Sequence, residues 1–232
     1  MKKLAFLIVS AVVPMLNAAP VLDLSWDIGI PTPNGKNAAS GNYTQDYKAS
    51  DSVLSVGTIS LSSALPAANV ANSYRGNYNG TLTTAAAALA GGQYLSINVT
   101  PTGTVNFEKL VLNLQTATAS TFTWNLYSDK TGSALLQSLS NGTTNAIINW
   151  QIDLTGFSAL QNVSTSTEFR IYGYREATGA NKEAGFANAV GSEDIGVYAA
   201  AAVPEPAALG LLGFGHISTV VAMRFSARRG NT

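Results

Sequence analysis

The 232-residue chain contains no cysteine and one histidine, and only 11% of its residues are Asp, Glu, Lys or Arg. Without cysteine there is no disulfide framework, no thiolate metal site, no cysteine nucleophile and no acylated-cysteine anchor. Stability has to come from an ordinary apolar core, which a chain of this length can bury. The one histidine, His216, lies near the carboxyl terminus. The central region therefore lacks the imidazole of Ser–His and Cys–His catalytic pairs and the usual nitrogen ligand of zinc. What remains for catalysis is a pair of carboxylates, as in glycosidases. The composition is too apolar for a disordered chain and too poor in Glu, Lys and Leu for a helical bundle.

Positive charge is scarce where a partner would meet it. The formal net charge is zero, but Lys2, Lys3, Arg224, Arg228 and Arg229 belong to the terminal segments, as does Glu205. Between them lie eight basic and twelve acidic residues, a net of −4. A mildly acidic domain with no basic patch is a poor nucleic-acid ligand, so nucleic acid is set aside as a partner.

The two ends carry segments of their own. Residues 1–18 read as a signal peptide: Met1-Lys2-Lys3 is a positive start, Leu4 to Met15 an apolar stretch, and Leu16-Asn17-Ala18 a small-residue cleavage site. Twelve apolar residues interrupted by Pro14 are too few to span about 30 Å of hydrocarbon. Residues 203–232 begin with Val203-Pro204-Glu205-Pro206, continue with seventeen residues (Ala207 to Met223) free of Asp, Glu, Lys and Arg, and end with Arg224, Arg228 and Arg229. As a helix the uncharged stretch reaches about 25 Å, the lower limit for a membrane span. The arginines place their end on the cytoplasmic side, which agrees with an exported centre. Two prolines hold the tetrapeptide extended at the outer boundary of the membrane. His216 sits within the uncharged stretch.

That order of features resembles the PEP-CTERM sorting signal of Gram-negative bacteria; the layout also resembles a cell-wall sortase signal, but no L-P-x-T-G is present. The resemblance implies recognition by exosortase, a multi-spanning membrane enzyme, with cleavage near Val203–Pro206. It also implies association with exopolysaccharide and biofilm matrix. The expected route is an anchored intermediate in the inner membrane, then the cell surface or extracellular matrix. Two departures stand out: His216, Ser218 and Thr219 make the helix more polar than the pattern, and Phe225-Ser226-Ala227 splits the arginines.

Residues 19–202 read as an all-β domain, an antiparallel two-sheet sandwich of jelly-roll type. Apolar and polar residues alternate in Tyr94 to Pro101, Thr121 to Asp129, Ile147 to Leu154 and Glu168 to Arg175. Val21 to Ile28, Val53 to Leu61, Phe107 to Thr116 and Ile195 to Ala201 are further strand candidates, with Gly- and Asn-bearing turns between several of the runs. Thr83 to Ala90, closed by Gly91-Gly92, is the one helical stretch, and Pro31 to Ser52 reads as a long loop. "GQYLSINVTP", "TEFRIYGY" and the last strand before V-P-E-P also resemble a sandwich that often precedes PEP-CTERM tails, which implies a fold similar to lectin-like jelly rolls.

No carboxylate among Glu108, Asp129, Asp153, Glu168, Glu176, Glu183, Glu193 and Asp194 has a catalytic spacing, so the chain reads as a non-enzyme with no cofactor and no metal. Calcium would need Glu193 or Asp194 to meet Asp23 or Asp27 across paired end strands. Trp124 and Trp150 fall on apolar faces and read as core. Tyr127, Tyr172 and Tyr174 fall on polar faces beside Asn125, Arg170 and Asp153, the pattern of exposed aromatics and hydrogen-bonding groups that binds sugars. The first reading is thus a non-catalytic envelope or matrix protein, the second a surface carbohydrate-binding module, the third a glycosidase.

Overall fold

The computed structural model describes residues 20–29, 36–70, 72–117, 121–142, 145–189 and 193–202. The expected signal peptide and sorting tail lie outside these residues. Among the described residues there are fourteen strands: β1 (Leu22–Trp26), β2 (Tyr43–Thr44), β3 (Tyr47–Lys48), β4 (Leu54–Leu61), β5 (Ala67–Ala68), β6 (Ser73–Tyr78), β7 (Tyr94–Pro101), β8 (Val105–Thr116), β9 (Phe122–Ser128), β10 (Gln137–Ser140), β11 (Ile148–Asp153), β12 (Thr167–Arg175), β13 (Lys182–Ala187) and β14 (Ile195–Ala201). All pair antiparallel. One sheet has six strands in the order β10-β9-β12-β7-β4-β2; the other has eight, in the order β3-β1-β14-β8-β13-β6-β5 with β11 also on β8.

β8 organises the larger sheet. Its Leu112 pairs with both Trp150 of β11 and Ile195 of β14, and its Leu114 with both Ile148 of β11 and Phe186 of β13. β13 and β14 therefore follow one another along one side of β8, and β11 takes the other side, with Val163 bridged to Val105 beyond its end.

Period-two alternation sends one set of side chains between the sheets. Trp26, Phe107, Leu110, Leu112, Phe122, Trp124, Leu126, Trp150, Ile152, Phe169 and Ile171 form one core cluster. Edge-on ring contacts join the layers, Tyr78 to Trp124 at 5.9 Å and Phe107 to Phe169 at 5.3 Å. Gly173 allows this density: a Cβ there would come within 2.4 Å of the Phe122 ring.

Among the described residues one α-helix is formed, α1 (Ala85–Gly91). The Thr84 hydroxyl caps its start by accepting the Ala87 amide, and Gly92 ends it in the left-handed conformation at φ 65°. Seven residues rich in alanine are too short to hold a helix alone; packing on β12 supplies the rest. The stretch from Lys36 to Ser52 is less irregular than its composition implies, since it includes β2 and β3. Burial of Lys36 organises it: its ammonium donates to the Asp27 carbonyl at 2.7 Å and meets the Asp46 carboxylate at 2.5 Å.

Candidate functional site

The outer face of the six-stranded sheet carries the side chains that alternate with the core. Across β9, β12 and β7, Arg170 stands opposite Tyr127 and Ser96, and Tyr172 opposite Asn125 and Tyr94. Directly opposed residues project to the same face, so the register places Tyr94, Tyr127, Arg170 and Tyr172 together. Tyr172 meets Tyr94 at 5.0 Å and stands edge-on to Tyr127 at 5.4 Å. The Arg170 guanidinium lies 5.3 Å from the centre of the Tyr94 ring.

α1 lies over part of this face. Its Ala88 is fully buried and forms a second, smaller apolar cluster with Tyr127 and Tyr172, flanked by Leu89, Tyr94 and Tyr174. Beside the helix a groove of about 380 Å³ remains open, lined by Leu89, Tyr127, Asp129, Gly132, Ser133, Arg170 and Tyr172. The Asp129–Thr131 turn that closes its other side is fixed by a capping box from Ser128 and Thr131.

The charged groups of the groove are held rather than loose. Glu168 accepts from Arg170 Nε at 2.7 Å and from Ser96 Oγ at 2.8 Å. Burial works against the charge on Arg170, but Glu168 more than offsets it and holds the guanidinium above its ordinary pKa. Asp129 accepts the Glu168 amide at 2.9 Å and the Lys130 ammonium at 3.0 Å. Burial raises the Tyr127 and Tyr172 hydroxyls above their ordinary range, with Arg170 pulling Tyr172 back. Both tyrosines stay protonated donors at neutral pH. The groove thus offers an aromatic floor, hydroxyl donors, a guanidinium and a carboxylate.

Two expectations about this face need correction. Tyr127 and Tyr172 occupy the predicted face, but they are only 6% and 5% exposed, packed against Ala88 of α1 and flanked by Leu89, Tyr94 and Tyr174. They supply a floor with an exposed margin and not a stacking platform. Asp153 does not join them, since it belongs to β11 in the other sheet. Tyr174 flanks the small cluster without lining the groove. The sequence reading missed Leu89, Gly132 and Ser133 and took Asp129 only as an isolated carboxylate; their approach depends on how α1 and the turn fold back.

The remaining carboxylates mostly serve the fold. β1 and β14 do pair, as a calcium site would require. Asp194, fully buried, spends its oxygens on amide donors: Ile28 N–H at 2.7 Å, Ala189 N–H at 2.6 Å and the Asn113 side chain at 3.4 Å. Asp23 accepts the amides of Val53 at 2.9 Å and Ala199 at 2.8 Å. Amide hydrogens occupy the lone pairs a cation would need. Among the described residues no three acidic or histidine side chains cluster.

A second hollow, about 310 Å³, lies on the eight-stranded sheet and brings Glu108, Lys109, Gln151 and Asp153 together with Pro20. Burial and the nearby Asp23 push Glu108 above its ordinary pKa, whereas hydrogen bonds from Thr155 hold Asp153 below its own. The Asp153 shift comes from a local turn, and the Lys109 ammonium is drawn aside over the Tyr198 ring at 3.9 Å.

Among the described residues no helix is long and apolar enough to cross a membrane. No family model and no curated protein matches the chain. Among solved structures it is similar to the Stig cyclase Fisc from Fischerella sp. TAU, in complex with (3Z)-3-(1-methyl-2-pyrrolidinylidene)-3H-indole. Identity is 11%, coverage 82% of this chain and 93% of that one, and the TM-score 0.34. A likeness of that degree carries no argument about activity.

Proposed function

We propose that the chain is a non-catalytic envelope or extracellular-matrix protein, exported by residues 1–18 and sorted through a PEP-CTERM-like tail by an exosortase-like membrane enzyme. One observation carries the reading: Val203-Pro204-Glu205-Pro206, an uncharged stretch of seventeen residues and three arginines occur in that order. The jelly-roll character of the sandwich, the membrane helix at 207–223 and the association with exopolysaccharide belong to the same proposal. The use of Asp23 and Asp194 as amide acceptors supports a structural role, since two of the acids open to chemistry serve the fold. Deleting the exosortase from cells that express the protein should trap it in the inner membrane. Unchanged delivery to the surface in that strain would refute the sorting route.

The groove favours a second reading, in which the domain binds a polysaccharide. Tyr172 and Tyr127 furnish the floor, and Arg170 and Asp129 furnish a donor and an acceptor for sugar hydroxyls. Affinity electrophoresis in gels cast with candidate polysaccharides tests it. Retardation of the wild type that is lost in Arg170→Gln supports the reading, and equal mobility with and without polysaccharide counts against it. A glycosidase would have to be seated at Glu108 and Asp153. Hydrolysis lost in Glu108→Gln would install that reading in place of the other two.

A further inference from the structure

We infer that β11 is an assembly edge, which pairs antiparallel with β11 of a second copy of this chain so that Gln151 faces Gln151 across a two-fold axis. The inference rests on backbone geometry and is independent of the groove and of the tail.

Among the described residues β11 has β8 as its only strand partner. The Leu154 amide donates to the Glu108 carbonyl at 2.8 Å, so the even-numbered residues of this stretch point their amides and carbonyls at β8. The other flank of β8 agrees: the Asn113 amide, opposite Asn149, points away from β11 and donates to the Asp194 carbonyl at 2.7 Å. Asn149, Gln151 and Asp153 therefore aim both of their backbone polar groups outward. None of these groups has a hydrogen-bond partner among the described residues.

Sheet edges of this kind template further pairing unless they are short, charged or broken by proline. The other terminal strands are short: β2, β3 and β5 have two residues each, and β10 has four. β11 has six, and from Asn145 to Leu154 there is no Lys, Arg or Pro. Ile147, just before the strand, is 36% exposed.

The strand is complementary to itself. With Gln151 on the axis, Asn149 of each copy pairs with Asp153 of the other, and Trp150 pairs with Ile152. All outward amides and carbonyls of Asn149, Gln151 and Asp153 are then satisfied in three reciprocal pairs. The one charge of the strand meets an amide and not a second carboxylate. A two-fold axis normal to the sheet keeps Trp150 and Ile152 on the core side in both copies, so the two larger sheets continue into one. A six-residue edge buries little surface, so the dimer is concentration-dependent.

The absence of cysteine makes the test direct. The full chain, purified in mild detergent, should sediment as a monomer–dimer mixture that shifts with concentration. Gln151→Cys should give a disulfide dimer under mild oxidation. Asn149→Cys alone should not, but mixed with Asp153→Cys it should. Ser138→Cys on the edge of β10 should stay uncross-linked. Gln151→Pro removes only an outward amide, which an edge strand tolerates, and should lower dimer affinity at least tenfold while thermal unfolding stays near wild type. Gln151→Lys, which sets like charges opposite one another, should weaken it in the same direction without touching the backbone. The inference is overturned by a monomer at every concentration, by Gln151→Cys cross-linking no better than Ser138→Cys, or by wild-type dimerisation in folded Gln151→Pro.

Discussion

The two sheets share one core and one alternation, yet their outer faces are built from different chemistry. On the six-stranded sheet the outward positions hold Tyr94, Tyr127, Glu168, Arg170 and Tyr172, and a short helix lies over them. On the eight-stranded sheet they hold a row of amides: Asn113 accepts from Asn149 at 2.8 Å, Asn149 accepts from Gln151 at 3.0 Å, and the row ends inside on Asp194. The first face has apolar area to bury and is roofed, which leaves a groove at the margin of the roof. The second satisfies its polar groups laterally, with Asn149 and Gln151 left exposed and Asn113 buried. What an outward residue does is thus decided by its cross-strand neighbours, and period two alone does not reveal it.

Substitutions on the two faces sharpen this contrast, and the largest effect belongs to the amide face. Asp194→Ala strands the Ile28 and Ala189 amides and the Asn113 side chain, and should cost roughly 3 kcal/mol or more in urea denaturation. On the other face Tyr172→Ala empties the contact under α1 and should cost about 2 kcal/mol. It should also abolish any polysaccharide retardation. If the Tyr172 variant proved the costlier, the roofed face and not the amide row would be the structural one.

Acidification separates the faces as well. Burial is the main cause that holds the Asp194 carboxyl above its ordinary pKa. A raised folded pKa contributes stability that is complete below the unfolded value and is lost as pH rises through the folded value. The stability of wild type relative to Asp194→Asn should therefore increase as pH falls from neutral toward about pH 4. A constant difference across that window would remove Asp194 from the account. The smallest change expected is Arg170→Gln, where a part-exposed pair is worth under about 1 kcal/mol. Stability should barely move, while any glycan binding by the groove is lost.

Much of the sandwich is legible in the sequence because alternation marks it. Tyr94–Pro101 and Ile195–Ala201 have their predicted bounds, and six other predicted runs hold strands within a few residues of theirs. β6 and β13 escape the reading: SYRGNY and KEAGFA carry glycine and charge in place of a β-branched run, and they form because β13 is gripped between β6 and β8. At the candidate site the tyrosine face is legible and its burial is not. Exposure of Tyr127 and Tyr172 depends on α1 folding back from a distant part of the chain, and strand periodicity contains no trace of that. The amide row is equally hidden, since Asn113 and Asn149 stand 36 residues apart and meet only through the register of β8 and β11.

The central claim concerns the ends of the chain, and the intact mass of the protein recovered from the surface of exosortase-bearing cells tests it most directly. The account predicts a species that begins at Ala19 and ends near Val203–Pro206. A mature protein that still carries residues 207–232 would contradict it.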